Sequence, residues 1–362
     1  MRASAGNAER CIQEKADVTI IDMHSHFVPH SWPDLAARFG GADWPGIRHT
    51  DPGKAMLTVG ERDFRPVHSA LWDADERLTA MDRDGIDVQV LCATPFLFGY
   101  QRSAEHALGA AQIFNDAALA ICAQPAGANA GRLKALCQVP LQDTDLACRE
   151  LTRCMRAGHI GVQIGNHVGP RNLDDEGIVA FLQHCAAENA AVLVHPWDMM
   201  AADRTRQYMM GWTVGMPAET QLAIVAMILG GAFDRLPREL RICFAHGGGS
   251  FAFLLGRLEN AWHNRDIARG KSQHPPSHYC DRFSVDSAVF DQRALRLLLE
   301  VMGEERVMLG SDAPFPLGEL IVSSLVRGSE MTDVAKGKLL GGNAARFFGI
   351  GEPSRFESRK RA

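Results

Sequence analysis

Short runs of apolar, mostly β-branched residues recur along the chain, and segments with a helical spacing of apolar residues lie between them. Most of these runs are too apolar to alternate with polar positions, which is typical of strands buried on both faces of a parallel sheet. The intervening segments, such as 103–124 and 291–303, have the spacing of amphipathic helices. The pattern predicts eight strands, at residues 18–24, 86–94, 133–139, 160–166, 191–196, 241–247, 282–288 and 306–314.

A strand followed by a helix, repeated in this way, is the order of elements in an α/β fold. For a chain of 362 residues we expect a (β/α)8 TIM barrel with long insertions after strands 1 and 5. A doubly wound open sheet is the alternative. The insertions cover about 27–74 and about 198–240, and they are expected at the carboxyl face of the barrel. One barrel domain is predicted over 17–352, between an N-terminal tail at 1–16 and a C-terminal tail at 353–362.

Composition restricts the partners and the compartment. With 46% hydrophobic residues and a net charge of -5, the chain has the composition of a globular protein and lacks the basic excess of a nucleic-acid-binding protein. A small anionic substrate remains compatible, because it needs only a few local cations. The nine cysteines include no CxxC pair, so we expect reduced thiols in a cytoplasmic protein. The N-terminus lacks the apolar region of a secretory signal, and no apolar run is long enough to suggest a membrane span.

Histidine and aspartate residues stand at the ends of four predicted strands. His24 and His26 are two apart on strand 1 and therefore share one face, while His195 ends strand 5, His246 lies in strand 6 and Asp312 in strand 8. The carboxyl ends of barrel strands converge on one axial site. Three histidines and an aspartate suit Zn2+ or another borderline divalent ion. Since five groups are present, at least one remains for acid–base chemistry, and the spacing alone does not say which.

The order of these residues resembles the amidohydrolase superfamily. The segments DMHSHF, FRPVHSALWD, LVHPWDMM, HGGGSFAFLLGRLENAW and MLGSDAPFPLGE resemble, within it, the decarboxylases of 2-amino-3-carboxymuconate 6-semialdehyde, over about residues 18–350. The resemblance implies non-oxidative release of CO2 in aromatic catabolism, of the tryptophan/kynurenine or nitrobenzoate type. A metal-dependent hydrolase or hydratase of a related acid or lactone is the alternative on the same scaffold. A non-catalytic binding protein, which would hold no metal, is a third reading.

The resemblance also implies roles for particular residues. His24, His26, His195 and Asp312 correspond to the ligands of one divalent metal, with Zn2+ expected first and Mn2+, Co2+ or Fe2+ as alternatives. His246 resembles the catalytic base beside a metal-bound water. Superfamily members with two metals often have a bridging lysine on strand 4, and strand 4 of this chain, at 160–166, has no lysine. A single metal is therefore expected.

Further residues are implied to bind the substrate. Arg65 resembles a clamp on the substrate carboxylate, and Trp212 and Phe315 resemble aromatic residues of the pocket wall. Arg257 and Arg265 resemble cations that reach the neighbouring active site across a homodimer interface.

Two positions depart from the family pattern. Ala313 stands where the family usually has tyrosine, and Glu61 stands where it often has lysine. We expect Ala313 to open space near the metal and Glu61 to alter the charge near the substrate entrance. Both leave the identity of the substrate open.

Overall fold

The computed structural model describes residues 19–351, so both predicted tails lie outside the described residues. The strands are β1 (Ile21–Phe27), β2 (Pro45–Asp51), β3 (Lys54–Val59), β4 (Arg62–His68), β5 (Val88–Ala93), β6 (Leu133–Ala135), β7 (Gly161–Gly165), β8 (His167–Val168), β9 (Arg171–Asn172), β10 (Ala191–His195), β11 (Ile242–Phe244), β12 (Ser284–Asp286) and β13 (Val307–Met308). The helices are α1 (Leu35–Phe39), α2 (Ala74–Asp84), α3 (Ala104–Cys122), α4 (Thr144–Ala157), α5 (Glu176–Ala187), α6 (Met216–Leu229), α7 (Ala232–Arg235), α8 (Ala245–Gly248), α9 (Phe251–Asn264), α10 (Gln292–Met302), α11 (Ser324–Arg327), α12 (Asp333–Gly337) and α13 (Asn343–Phe348).

Parallel strands at the eight predicted positions form a TIM-barrel-type α/β fold. They pair in two sheets, with the orders β1-β5-β6 and β7-β10-β11-β12-β13. These sheets do not form a closed barrel, which corrects the expectation of one continuous eight-stranded wall. Isolated parallel bridges, Cys137 to Val162 and Ser25 to Ala313, lie across the two gaps between the sheets. β6 and β13, which border the gaps, are short, with only three and two residues.

The strands and the helices pack in two hydrophobic layers. Alternate residues of a strand belong to different layers, as β10 shows: Val192 and Val194 pack in the larger core, whereas Ala191 and Leu193 pack in the smaller one, with Phe347 of α13. Because side chains alternate along a strand, His195 lies on the same face of β10 as Ala191 and Leu193. The smaller core therefore fills the space inside the strands, and His195 lies above it, at the carboxyl end of β10.

Aspartates fix the beginnings of several outer helices. The side chains of Asp73, Asp143, Asp175 and Asp291 accept hydrogen bonds from backbone N–H groups in the first turns of α2, α4, α5 and α10. Aspartate is a preferred residue at this position because its oxygen satisfies an N–H group that the helix itself leaves free. These caps set where each helix starts after its strand.

The first predicted insertion has its own secondary structure, and the second is shorter than predicted. The first contains α1 and the antiparallel sheet β2-β3-β4, which carries Arg65 on β4. The second is shorter than predicted, because α6 and α7 lie within 198–240 and only about 196–215 is an insertion. The sequence of α6, MPAETQLAIVAMIL, is apolar on nearly all sides, so its helical period does not stand out from the sequence.

One described helical segment, Gly211–Leu229, is long and apolar enough to cross a membrane by length and composition, with 44% of it buried inside the protein. This segment includes α6, whose residues Thr220, Ile224 and Ile228 are fully buried. A core helix of a globular fold passes the same test.

Candidate active site

An irregularity in β1 helps to direct its two histidines inward. The three steps from Asp22 to Ser25 pair with only two steps from Gln89 to Leu91 on β5, so β1 holds one extra residue. Such a bulge changes the direction of the side chains around it. His24 and His26 are both buried, and their Nε2 atoms lie 3.2 Å apart.

Two of the histidines are oriented by acceptors behind them. His24 Nδ1 lies 2.7 Å from Oδ2 of Asp286, at the end of β12, and His195 Nδ1 lies 2.7 Å from the carbonyl oxygen of Pro196. An acceptor at Nδ1 favours the tautomer with its proton on that atom, which leaves a lone pair on Nε2. His195 Nε2 is buried and has no hydrogen-bond partner within residues 19–351. A buried nitrogen without a partner fits a metal ligand, because a cation would supply the missing interaction.

Asp312 joins the histidines from the loop after β13. Its Oδ1 lies 2.9 Å from His26 Nε2 and 3.6 Å from His24 Nε2, and its Oδ2 lies 3.6 Å from His246 Nε2. Although burial acts to raise it, the neighbouring imidazoles of His246 and His26 hold the pKa of Asp312 well below its usual range. Burial, together with the nearby His26, holds the pKa of His195 well below its usual value. An ionised carboxylate and a neutral imidazole are the forms that bind metal.

The structure brings all five predicted groups together. One ligand atom from each of His24, His195, His246 and Asp312 lies within 4.8 Å of the others, and all four residues are buried. This set includes His246 in place of His26, which contacts both His24 and Asp312. The donor set fits one divalent cation. The division of the five residues between ligands and base stays a prediction.

An apolar cavity of about 350 Å³ opens onto this cluster. Its walls come from the first insertion, from the segments after β5 and β10, and from the loop after β13. The lining residues are His26, Phe64, Arg65, Pro66, Thr94, Pro95, Phe96, His195, Pro196, Trp197, Met199, Met209, Trp212, Met216, Asp312, Phe315, Pro316 and Leu317.

Arg65 is the arginine that lines this cavity among the described residues, and aromatic rings hold it. Its guanidinium carbon lies 5.1 Å from the ring centroid of Trp212, 5.0 Å from that of Phe315 and 5.5 Å from that of Phe64. Within residues 19–351 it forms no ion pair, and burial lowers its pKa, although the nearby Asp312 acts to raise it. Trp212 and Phe315, both predicted as pocket residues, line the cavity beside this cation.

The other two predicted arginines lie elsewhere. Arg257 on α9 and Arg265 just after it are both exposed, and neither lines the cavity. Within a single chain the structure does not bring them to the histidine–aspartate cluster. Their predicted role would require a second copy of the chain.

The two departures from the family pattern also lie outside this cavity. Glu61 is in the turn between β3 and β4 and lines a separate surface cavity, so it does not line the cavity at the histidine–aspartate cluster. Ala313 lines an adjoining cavity with Arg77 and Gln89, on the far side of Phe315. The space that its small side chain leaves therefore belongs to that adjoining cavity.

Sequence reasoning missed several residues of the site. Asp286 lies near the end of the predicted strand 282–288, so the strand-end argument that found Asp312 applies to it equally. Trp197 follows His195 closely, and its ring packs edge-to-face against Tyr100 at 5.4 Å. Phe96 stacks on Phe64 at 5.7 Å across the cavity wall, and no local pattern marks it.

The fold and the histidine–aspartate cluster define a metal-dependent enzyme of the amidohydrolase class. The amidohydrolase family model matches residues 21–350, and the chain belongs to this family. More particularly, it is 42% identical over 339 residues to 2-amino-3-carboxymuconate-6-semialdehyde decarboxylase of Dictyostelium discoideum, a match that covers 93% of each chain.

Solved structures are similar over nearly the whole chain. The structure of 5-carboxyvanillate decarboxylase from Sphingomonas paucimobilis has a TM-score of 0.74 at 26% identity and covers 92% of this chain and 99% of its own. The 5-carboxyvanillate decarboxylase of Novosphingobium aromaticivorans, complexed with manganese and a nitrobenzoic acid, has a TM-score of 0.72 at 20% identity, covering 93% of this chain and 97% of its own. At that identity the second likeness supports the fold alone.

Proposed function

We propose that this protein is a metal-dependent, non-oxidative decarboxylase of a small conjugated carboxylic acid, with 2-amino-3-carboxymuconate 6-semialdehyde as the first candidate substrate. The observation that carries the proposal is the position of Arg65. It is a cation without an acidic ion-pair partner in the described residues, and it faces the histidine–aspartate cluster across an apolar cavity. The similarity to the Dictyostelium decarboxylase selects the candidate substrate.

Arg65 binds and orients the substrate carboxylate in this scheme. A planar guanidinium can pair with a carboxylate through two parallel hydrogen bonds, which fixes its direction. The rings of Trp212 and Phe315 limit the movement of the cation, and the stacked Phe64 and Phe96 offer flat faces to a conjugated substrate. The apolar walls exclude water and so strengthen the charge interactions inside the cavity.

His246 moves the proton. When CO2 leaves, the electron pair of the broken carbon–carbon bond stays on the substrate carbon, which then takes up a proton. His246 holds that proton at Nε2, 3.6 Å from Oδ2 of Asp312. When bound, a divalent cation supplies positive charge that lowers the pKa of water and stabilises developing negative charge. His24, His26, His195 and Asp312 would hold it, and we retain Zn2+ as the expected ion.

The remaining predictions belong to the same proposal. Residues 17–352 would form one domain, and the functional unit would be a homodimer in which Arg257 and Arg265 reach the partner's cavity. Their exposure supports this, because exposed side chains are free to meet a second chain. The eight described cysteines are all free thiols, which supports a cytoplasmic location.

The test is CO2 release by the purified, metal-loaded protein. With 2-amino-3-carboxymuconate 6-semialdehyde we expect one CO2 per substrate consumed, without an organic cofactor and without oxygen from solvent in the product. Loss of substrate without CO2, or incorporation of ¹⁸O from labelled water, would instead indicate the hydrolase or hydratase alternative.

Variants of two arginines on β4 test the role of the cation. Arg65→Lys keeps the charge but loses the planar pair of donors, so we expect KM to rise by roughly tenfold or more. Arg62→Lys is the matched control, because Arg62 is exposed and pairs with Asp43 at the surface. Equal kinetics for both variants would remove Arg65 from the mechanism.

A further inference from the structure

Asp286 connects a metal-ligand histidine with the turn that carries His246. Its carboxylate is fully buried at the end of β12. Oδ2 accepts a hydrogen bond from His24 Nδ1 at 2.7 Å, and Oδ1 accepts from the backbone N–H groups of Gly247 at 2.9 Å and Ala288 at 3.1 Å. We propose that Asp286 is a positioning residue with two separable tasks, one for each oxygen. The second task rests on the proposed function, whereas the first concerns metal binding alone.

The first task, performed by Oδ2, is to set the tautomer of His24. A carboxylate oxygen only accepts, so His24 carries a proton on Nδ1, and Nε2 is then the ring nitrogen that can present a lone pair to a cation. Gly310 makes this contact possible, since a Cβ atom there would lie 2.8 Å from Cβ of Asp286 and 2.9 Å from Cβ of His24. The backbone therefore leaves room for the two side chains to meet.

The second task, performed by Oδ1, is to hold the turn at His246. His246 (φ 55°, ψ 46°) and Gly247 (φ 63°) are both in the left-handed region, which a residue with a side chain adopts only when its surroundings enforce it. The N–H of Gly247, next to His246, donates to Oδ1. Neither ring nitrogen of His246 has a hydrogen-bond partner in the described residues, so the position of the ring depends on this backbone.

Asp286→Asn separates the two tasks. The two backbone N–H groups require an acceptor at the Oδ1 position, so the amide oxygen stays there and the amide NH2 faces His24. The NH2 group then donates to Nδ1, which moves the ring proton to Nε2, the atom needed for the metal. We expect the affinity of metal-free protein for Zn2+ or Mn2+, measured by competition with a chelator, to fall about 10- to 100-fold. At saturating metal, kcat should stay within a few-fold of that of the unchanged protein.

Asp286→Ala removes both oxygens. We expect the same loss of metal affinity and, in addition, a kcat at least tenfold lower that saturating metal does not restore. Asp291→Asn is the matched control, because Asp291 caps α10 nearby and asparagine caps a helix equally well. It should change neither metal affinity nor kcat.

Each result bears on one task. Unchanged metal affinity in Asp286→Asn overturns the first, and full kcat of metal-saturated Asp286→Ala overturns the second. Should the alanine variant not fold, a kcat of Asp286→Asn that stays far below normal at saturating metal also overturns the second. Because affinity is measured without substrate, an absence of CO2 release by the unchanged protein would count against the proposed function and leave the test of the first task intact.

Discussion

At the scale of single residues, the shape of the site depends on positions that do not touch the metal cluster. Trp197 lines the cavity, and three neighbours determine where it lies. Its backbone N–H donates to Oδ1 of Asn166, its Nε1–H donates to the carbonyl of His167, and its ring packs against Tyr100. Asn166 in turn donates to the buried Glu219 of α6. The cavity wall is thus fixed from behind by polar contacts.

Gly165 provides the space for this arrangement. A Cβ atom there would lie 2.6 Å from Cδ1 of Trp197 and 2.7 Å from Cε2 of Tyr100, so both rings must shift in Gly165→Ala. We expect KM for the substrate to rise by roughly tenfold, because small displacements of positioning groups reduce productive binding. Steady-state CO2 release measures this. Gly256→Ala on α9, where a Cβ meets nothing within 4 Å, should behave normally, and equal kinetics for both would contradict the expectation.

His159 makes stability depend on pH. Burial lowers the pKa of His159 to about 4, and its Nδ1 contacts the Cys154 carbonyl. Since the folded pKa lies below the unfolded value of about 6.5, the stabilisation is complete above pH 6.5 and is lost as the pH falls towards 4. Between pH 7.5 and 5.5, metal-free protein should lose about 1 kcal/mol more unfolding free energy than His159→Asn does.

Urea unfolding of both proteins at the two pH values measures this difference. His68→Asn, at an exposed position, is the control and should follow the unchanged protein. Identical pH dependence in His159→Asn and the unchanged protein would show that His159 is not the residue responsible.

Site residues at strand ends could be predicted from the sequence, whereas site residues whose positions depend on tertiary contacts could not. His24, His195 and Asp312 follow apolar runs, so their convergence follows from the barrel rule alone. Asp286 follows such a run too, but only the folded chain shows that it faces His24. Phe96 lies far from Phe64 in sequence, and no local sequence pattern predicts that their rings stack.

At the scale of elements, side chains of the outer helices contact the strands that carry the site. The side chain of Arg77 on α2 is buried and donates to the carbonyl of His26 at 2.6 Å and to Oε1 of Gln89 at 2.8 Å. Burial lowers the pKa of Arg77 to about 10, so it remains a cation at neutral pH. The start of α2 therefore affects how firmly the carboxyl end of β1 is held.

The cap of α2 gives a direct measure of this support. Oδ1 of Asp73 accepts from the N–H groups of Asp75 and Glu76 at 2.9 and 3.0 Å. Asp73→Ala should lower the free energy of unfolding by about 1 kcal/mol, whereas Asp73→Asn should lower it by much less, since asparagine also caps. Chemical denaturation of the two variants checks this, and an equal loss in both would point away from capping.

Seven of the eight predicted strands were longer than the observed ones for a physical reason. The apolar run at 306–314 includes residues that leave the ladder after Met308 and form the loop that carries Asp312. Apolar composition reports burial, and the loop residues Leu309 and Ser311 are as buried as a strand. Hydrogen-bond pairing, which defines the strand end, leaves no separate mark in the sequence.

At the scale of the whole molecule, a bound cation should raise stability. Ligands that bind only the folded state stabilise it by about 2.7 kcal/mol at a hundred times their dissociation constant. Treatment with a chelator should therefore lower the melting temperature, and adding Zn2+ or Mn2+ should restore it. In His195→Ala the response to metal should be much smaller, while His68→Ala should keep it. A melting temperature indifferent to chelator in the unchanged protein would exclude a structurally coupled metal.

Because the parallel strands form two separate sheets, the histidine–aspartate cluster connects one sheet with the other. His24 and His26 belong to one sheet, His195 and His246 to strands or strand ends of the other, and Asp312 to the loop at the gap between them. Across that gap the N–H groups of Met23 and His26 donate to the carbonyls of Leu309 and Ala313 at 2.9 and 2.7 Å. A cation bound by both sides would cross-link the sheets at this gap. Local opening of the wall and release of the ion would then be one event, and amide hydrogen exchange at Met23 and His26 would slow as the metal binds.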